Sequence, residues 1–99
     1  MTELEQLQAS AAQAAALLKA MSNPRRLLIL CMLCGAPGTS AGELARATGL
    51  SASATSQHLA RMREEGLIDS TREAQRILYF IKNDAVLQLI STLKTLYCP

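Results

Sequence analysis

The stretch from Ser40 to Gly66 constrains the fold of this chain most, because two short helices there carry their own start and stop signals. Ser40 followed three residues later by Glu43 is a capping-box pattern, which predicts a helix beginning near residue 41. Gly49 suits the left-handed conformation that ends a helix, and Ser51 suits the cap of the next one. The stretch therefore predicts two helices separated by a turn of only a few residues, ended by Gly66.

The second of these helices has two chemically different faces. Thr55, Leu59 and Met62 recur at i, i+4 and i+7 and form a stripe that faces a core. The opposite face carries the small polar side chains and the arginine that suit base edges and phosphates in a DNA major groove. A solvent-facing helix is the alternative, but two helices joined so tightly favour DNA recognition. The predicted DNA-contacting residues of this unit are Ser51, Ser53, Ala54, Ser56, Gln57, His58 and Arg61.

His58 lies beside the buried stripe, about 60° from its direction at ~100° per residue. The position suits either a phosphate contact or a packed, hydrogen-bonded structural histidine. A metal-binding role is disfavoured because no other soft ligand lies nearby on this helix.

Similar signals predict two helices before this unit. Thr2 and Glu5 form another capping-box pattern, which opens an alanine-rich helix that runs to about Met21. Asn23 caps the next helix, which begins at a proline and is predicted over residues 24–35. The two-helix unit is thus preceded by two further helices.

Beyond Gly66 the pattern changes to strands. The segments from Leu67 to Thr71 and from Arg76 to Ile81 are rich in β-forming residues and predict a β-hairpin, or wing. A last helix follows over residues 84–97, capped by Asn83. The predicted fold class is mainly α with a small β-hairpin. It is a winged helix-turn-helix of four helices, two strands and a fifth helix, in one domain of residues 1–99.

Arg72 and Arg76 flank the predicted tip of the wing. Their cations could straddle a phosphate backbone or enter a minor groove there. Ordinary surface arginines on an exposed hairpin are the alternative. The position of the hairpin directly after the predicted recognition helix favours contact with DNA.

Both terminal helices carry more apolar surface than one small domain need bury, which predicts a homodimer. Two-fold symmetry would place two recognition helices about one turn of DNA apart. The alternative is that these faces close the core of a monomer. The apolar positions are Leu4, Leu7, Ala11, Ala14 and Leu18 in the first helix and Val86, Leu87, Ile90, Leu93, Leu96 and Tyr97 in the last.

Composition excludes several classes of protein. A net charge of +2 over 99 residues gives only weak support for a nucleic-acid partner. The longest apolar run, Leu27 to Cys34, is far shorter than the ~20 residues that span a bilayer, so no membrane partner is expected. The first residues lack the pattern of a secretory signal, which predicts a cytoplasmic protein. Three cysteines in that reducing compartment do not indicate a disulfide framework.

The order of elements and four motifs resemble the ArsR family of winged-helix repressors over essentially the whole chain. The motifs are Met-Ser-Asn-Pro-Arg-Arg-Leu at 21–27, Ser-Gln-His-Leu at 56–59, Glu-Gly-Leu-Ile at 65–68 and Tyr79. The chain departs from the family at Ala74, where glycine is usual, and at Gln75, where a basic residue is common.

Two further segments, Leu-Ile-Leu-Cys at 28–31 and Leu-Tyr-Cys at 96–98, resemble the sulfur-sensing branch of that family, of the BigR and SqrR type. The resemblance implies a dimeric repressor that is released from double-stranded operator DNA when Cys31 and Cys98 are oxidised by low-molecular-weight persulfides or polysulfides. Cys34 is additional to the branch pattern. No cofactor, metal or catalytic residue is implied, and the chain is not expected to be an enzyme.

The residues alone leave the role of these cysteines open. Cys31 shares a helical stripe with Leu27 and Cys34, a position that by itself favours an inert buried thiol over a reactive one. With the resemblance, we expect one thiolate to attack the outer sulfur of a persulfide and the other to resolve it. The product would be a Cys31–Cys98 disulfide or polysulfide link that weakens operator binding.

Three alternatives remain at this stage. A metal-responsive ArsR-type repressor would use the three cysteines and His58 as soft ligands. A thiol oxidoreductase would use Cys31 and Cys34, although that pair ends an apolar helix rather than beginning an exposed one. A winged-helix module that binds only protein would show no salt-dependent affinity for a DNA duplex.

Overall fold

The computed structural model describes residues 2–98, so the ends of the predicted domain, Met1 and Pro99, lie outside the described residues. The fold is the predicted winged helix-turn-helix, mainly α with a small antiparallel sheet. Its elements are α1 Glu3–Met21, α2 Pro24–Gly35, β1 Thr39–Ser40, α3 Ala41–Thr48, α4 Ala52–Glu64, β2 Ile68–Glu73, β3 Arg76–Ile81 and α5 Asp84–Tyr97.

The predicted capping residues begin the helices. Asn23 accepts hydrogen bonds from the backbone N–H groups of Arg25 and Arg26 at the start of α2. Ser40 and Glu43 form both halves of the capping box that opens α3. Short polar side chains therefore satisfy N–H groups that a helix start leaves without intrahelical partners. Thr2 and Asn83 accept equivalent bonds at the starts of α1 and α5.

The sheet differs from the predicted hairpin in one strand and one turn. The short strand β1 pairs with the middle strand, so the antiparallel order is β1-β3-β2. Thr39 pairs with Tyr79, and the Gly38 N–H donates to the carbonyl oxygen of Tyr79 at 2.8 Å. Two residues are too few to give a sequence pattern, because their strand conformation depends on a partner 40 positions away.

The wing is also longer and tighter than predicted. The prediction that β2 runs from Leu67 to Thr71 was wrong by one residue at its start and two at its end. Glu73 pairs with Arg76, which leaves a turn of only two residues, Ala74 and Gln75. Cross-strand pairing extends the strand past the β-forming run, since each added pair contributes backbone hydrogen bonds.

The core lies where α2, α3, α4, β2 and α5 meet. Its side chains are mainly aliphatic, as expected for a chain with few aromatic residues, and they are shielded from solvent almost completely. The recognition-helix stripe of Thr55, Leu59 and Met62 is buried as predicted. The buried apolar residues of the core are Met21, Ile29, Leu30, Leu33, Leu44, Leu59, Met62, Leu67, Ile68, Val86 and Ile90.

The terminal helices differ sharply from this core. In α1, every residue from 3 to 16 is exposed, and Leu7 keeps 66% of its surface open to solvent. At the end of α5, Leu96 and Tyr97 are 70% and 79% exposed. Within residues 2–98, no helix is long and apolar enough to cross a membrane.

Candidate nucleic-acid interface and cysteine cluster

A tight turn sets the two helices of the DNA-reading unit against each other. Gly49 ends α3 with a φ of 74°, a left-handed conformation that glycine adopts without steric cost. Ser51 then caps α4 by accepting from the Ala54 N–H at 3.0 Å. The hydroxyl of Thr55 donates to the Ser51 carbonyl oxygen at 2.9 Å. These bonds hold the start of α4, where unpaired N–H groups and the helix dipole favour a phosphate.

The outer face of α4 presents most of the residues predicted to contact DNA. Ser53, Ser56, Gln57 and Arg61 are exposed, whereas Ala54 is half-buried. Because Leu59 on the opposite face is fully buried, the orientation of this exposed set is fixed by the core. The arrangement leaves an amide, two hydroxyls and a guanidinium free to meet base edges and phosphates.

His58 lies at the boundary between these two faces. It lines an open groove between α1 and α4 together with Arg26 and Arg61. Burial lowers the pKa of His58 below its ordinary value of 6.5, and the cations of Arg26, Arg25 and Arg61 lower it further. These surroundings therefore favour the neutral form of the ring over the charged form.

The two wing arginines have different surroundings. Arg72 lies in β2, and its Nε donates to the carbonyl oxygen of Ala74 at 3.2 Å. Arg76 forms an ion pair with Glu43, the carboxylate that also completes the capping box of α3. Hydrogen bonds from Ser40 lower the pKa of Glu43 most, and the Arg76 cation lowers it further. Arg76 therefore ties the wing to α3, a role that its sequence position did not indicate.

The turn between these arginines has an unusual backbone. Ala74 has a φ of 57°, in the left-handed region that side chains disfavour. The family resemblance already marked this position as one where glycine is usual. The conformation explains that preference, since the two-residue turn requires a positive φ at its first residue.

The three cysteines lie along the contact between α2 and α5. Cys31 and Cys34 are half-buried and Cys98 is exposed, and all three are free thiols. Burial raises the pKa of Cys31, the nearby Lys94 ammonium lowers it, and the neighbouring Cys98 and Cys34 raise it again. Residues 67 positions apart in the chain are thus close enough to influence each other's ionisation.

Cys34 and Lys94 add detail to this cluster that spacing did not provide. The Cys34 Sγ lies 3.6 Å from the Ser91 Oγ, two helical turns before Cys98 on α5. Lys94, which no sequence pattern singled out, extends its ammonium over the end of α2 beside Gly35. In the part of the chain that the structure describes, no group of three or more His, Cys, Asp or Glu side chains is arranged to hold a metal ion.

Comparison with known proteins places this geometry in a family. Residues 23–70, which contain the helix-turn-helix, match the family described as "Bacterial regulatory protein, arsR family". The chain belongs to this family. It is therefore a transcriptional regulator with a DNA-binding helix-turn-helix, and it carries the winged-helix fold of the family.

Three relatives illustrate the match. The HTH-type transcriptional regulator YgaV of Escherichia coli K12 is 81% identical over 99 residues, with both chains fully covered. The crystal structure of a predicted DNA-binding transcriptional regulator from Escherichia coli has a TM-score of 0.93 at 80% identity, covering 96% of this chain and 100% of the other. The transcriptional repressor BigR from Xylella fastidiosa has a TM-score of 0.85 at 33% identity, covering 100% and 99%.

Proposed function

We propose that the chain is a homodimeric repressor whose affinity for operator DNA falls when Cys31 and Cys98 become linked by a disulfide or polysulfide. The observation that carries the proposal is the position of these two thiols, one half-buried and one exposed, at the contact of α2 with α5, where Cys98 is near enough to affect the pKa of Cys31. The sulfur-sensing resemblance and the relatedness to BigR support it. Because a repressor works where its operator DNA lies, we propose that the protein is cytoplasmic.

DNA contact is assigned to two surfaces. Gln57, Ser53 and Ser56 face outward from α4 and read base edges, since an amide pairs with adenine and a hydroxyl pairs with several bases. Arg61 and Arg72 bind phosphates, which fix the register of the protein on the duplex. Arg76 supports the wing through Glu43, and Ser51 supports the start of α4.

The dimer is assigned to the terminal helices. Residues 3–16 of α1 are exposed, and Leu96 and Tyr97 add exposed apolar surface at the end of α5. An apolar groove of about 310 Å³ continues this surface between the ends of α1 and α5. Contiguous apolar surface of this kind is typical of a permanent interface. Its lining residues are Leu18, Met21, Ser22, Leu27, Leu89, Thr92 and Leu93.

The thiol chemistry begins at Cys98, because it is exposed whereas burial raises the pKa of Cys31. The Cys98 thiolate attacks the outer sulfur of a persulfide RSSH, which forms Cys98–S–SH and releases the thiolate RS⁻. The Cys31 thiolate then attacks the Cys98 sulfur, forming the Cys31–Cys98 disulfide and releasing HS⁻. Where both cysteines carry an added sulfur, the two persulfides condense to a trisulfide and release H₂S.

A link of this kind changes DNA affinity through the dimer. It ties α5, part of the proposed interface, to α2, which packs against the helix-turn-helix. The separation of the two recognition helices then no longer matches the operator. An allosteric coupling of about 1 to 3 kcal/mol corresponds to a change of about 5 to 150-fold in affinity.

The test is an anaerobic reaction with glutathione persulfide, followed by intact-mass measurement and DNA-binding titration. We expect an internal Cys31–Cys98 link, with or without added sulfur, and a loss of affinity of at least about fivefold. Cys31→Ser and Cys98→Ser should remain bound to DNA after treatment. Cys34→Ser is the matched control and should respond like the wild type.

Two outcomes would refute the proposal. Persulfide treatment that leaves DNA affinity unchanged removes the sensing role, and full response in both serine variants removes these cysteines from it. Zinc titration with and without a chelator tests the metal-responsive alternative, which predicts a metal-dependent change in affinity. Turnover of disulfide substrates by the reduced protein would instead indicate an oxidoreductase.

A further inference from the structure

One guanidinium nitrogen joins three helices at the base of α1. The Nη1 of Arg26 donates to the Ala20 carbonyl oxygen at 2.9 Å and to the Glu65 Oε2 at 2.9 Å. An arginine Nη carries two hydrogens, so it can make both bonds at once. The Arg26 side chain is only 12% exposed whereas that of Glu65 is 42% exposed, so the bond to Ala20 is the better shielded of the two. These contacts connect the last turn of α1, the first turn of α2 and the C-cap of α4.

The bond to Ala20 matters because α1 has few other attachments. Its residues 3–16 are exposed, while Met21 is buried and Leu17 and Ala20 are half-buried. The carbonyl groups of a last helical turn lack intrahelical partners, and a cation there is also favoured by the helix dipole. The direction in which α1 leaves the domain is therefore set by this one turn, and Arg26 binds it.

The bond to Glu65 acts on the recognition helix. Glu65 is the C-cap of α4, and its N–H donates to the Arg61 carbonyl oxygen at 3.0 Å. The ion pair thus fixes the C-terminal end of α4, which is the end opposite to the N-terminal turns that carry Ser53 and Gln57. A helix of 13 residues is about 20 Å long, so a tilt of about 10° at this end moves the other by about 3 Å. That displacement is roughly one base-pair step.

We propose that Arg26 is a positioning residue for DNA recognition: through Ala20 and Glu65 it fixes α4 relative to α1, and so sets the spacing of the two recognition helices in the dimer. The inference rests on the proposed dimer through the terminal helices. In a two-fold dimer, any error in the angle between α1 and α4 occurs in both halves. A dimeric DNA-binding protein depends on half-site spacing for this reason.

The test measures spacing preference as well as affinity. The full reduced chain selects a duplex from a random-sequence pool, and further duplexes then carry the half-sites one base pair closer, one base pair farther apart, or singly. For the wild type we expect a loss of about tenfold at each shifted spacing. Arg26→Gln should bind the selected duplex about tenfold more weakly and discriminate spacings by less than about threefold. Its affinity for the single half-site should stay within about threefold of wild type.

Two further variants sharpen the result. Glu65→Gln keeps the Arg26–Ala20 bond and leaves the buried core intact, so it tests the link even where Arg26→Gln does not fold. It should flatten the spacing preference in the same direction, by a smaller factor. Arg25→Gln is the matched control, because it removes the same charge from the adjacent, exposed position and should preserve the preference.

The outcomes separate this proposal from the dimer on which it rests. A wild-type chain that sediments as a monomer with and without the selected duplex refutes the dimer and the Arg26 role together. A dimer in which Arg26→Gln and Glu65→Gln retain the wild-type spacing preference refutes the Arg26 role alone. If Arg26→Gln weakens binding to the selected duplex and to the single half-site by the same factor, the Arg26 role is also refuted, because that result is the one expected for an ordinary phosphate contact.

Discussion

Two regions of this molecule, the helix-turn-helix with its sheet and the pair of terminal helices, differ in how much of their apolar surface is buried. The helix-turn-helix and the sheet bury most of theirs within the chain, so that Leu59 and Met62 are fully shielded. The terminal helices bury Met21, Val86 and Ile90 in the same core but leave much of their remaining apolar surface open, with Leu7 and Leu96 mostly exposed. The first region thus covers most of its apolar surface within the chain, whereas the open part of the terminal helices is the surface that we propose to form the dimer interface. We therefore expect DNA recognition and the proposed thiol response to depend on different surfaces of the molecule.

The largest effect should come from the buried half. Leu59→Ala removes a fully buried side chain from α4 and should lower the free energy of unfolding by about 2 to 5 kcal/mol, because a cavity remains. Urea denaturation measures this change. Ile77→Ala, at an exposed apolar position of the wing, is the control and should change stability by less than about 0.5 kcal/mol. Equal losses in the two variants would erase the contrast between buried and open apolar residues.

A charge on the open half should affect assembly instead. Leu7→Asp places a carboxylate in the exposed stripe of α1, and we expect it to weaken the dimer by about 2 kcal/mol or more, since a buried unpaired charge is costly. Sedimentation equilibrium measures the shift toward monomer. Ile77→Asp makes the same kind of change in the wing and should leave the assembly state unaltered. A stable Leu7→Asp dimer would move the interface away from α1.

Within the DNA-reading half, two substitutions should separate sequence choice from affinity. Gln57→Ala should reduce discrimination at one base pair by about 1 to 3 kcal/mol, because an amide that reads a base edge is lost. Arg72→Ala should weaken all sequences alike and reduce the salt slope by about 1. Titrations against matched and mismatched duplexes at several salt concentrations distinguish the two. If Gln57→Ala weakened binding to all duplexes equally, Gln57 would be a contact to the DNA phosphate backbone rather than to a base edge.

A smaller effect is expected at the wing turn. Ala74 has a positive φ, so Ala74→Gly should stabilise the chain by about 0.5 to 1 kcal/mol. Thermal unfolding at one protein concentration measures the gain. Gln75→Gly, at the second residue of the same turn, is the control and should not stabilise. A loss of stability in Ala74→Gly would show that the greater entropy of glycine in the unfolded chain outweighs the relief of backbone strain in the folded one.

The smallest expected change concerns pH. Burial and nearby arginines lower the pKa of His58, so the folded chain binds this proton less readily than the unfolded chain. The stabilisation from the neutral ring is complete above about pH 6.5 and is lost as the pH falls through the lowered folded-state pKa. His58→Gln should therefore lose less stability than wild type between about pH 7 and 5. Parallel losses in urea titrations across that range would contradict this.

The carboxylates act in a separate, more acidic window. The pKa values of Glu43 and Asp69 are lowered from 4.5 and 3.8, so the stability that they contribute is lost only as the pH falls below those values. The His58 effect can thus be measured without interference from them.

The sequence was most informative where the physical cause is local. A capping hydroxyl such as Ser40 or Ser51 acts within three residues, and the stripe of Thr55, Leu59 and Met62 repeats within one helix. These signals predicted the helices and the outward face of α4. The hairpin followed from β-forming residues on both sides of a short polar segment, although its turn proved tighter than that segment.

Contacts between distant residues were not predictable in the same way. Nothing near Thr39 indicates that it pairs with Tyr79, and nothing near Arg26 indicates Glu65 as its partner. The ion pair between Arg76 and Glu43 was equally hidden, since it depends on how the wing folds back on α3. The cysteines are intermediate: their chemistry was suggested by resemblance, while their position near one another depends on the packing of α5 against α2.

The exposed end of α5 also has an optical consequence. The chain contains two tyrosines and no tryptophan, so tyrosine emission is not masked by energy transfer to an indole. Tyr79 is half-buried in β3, whereas Tyr97 is open to solvent and directly precedes Cys98. Without any added dye, the fluorescence of the native protein therefore has one emitter inside the sheet and one beside an exposed thiol. Chemistry at that thiol and closure of the surrounding surface can be followed with ultraviolet light alone.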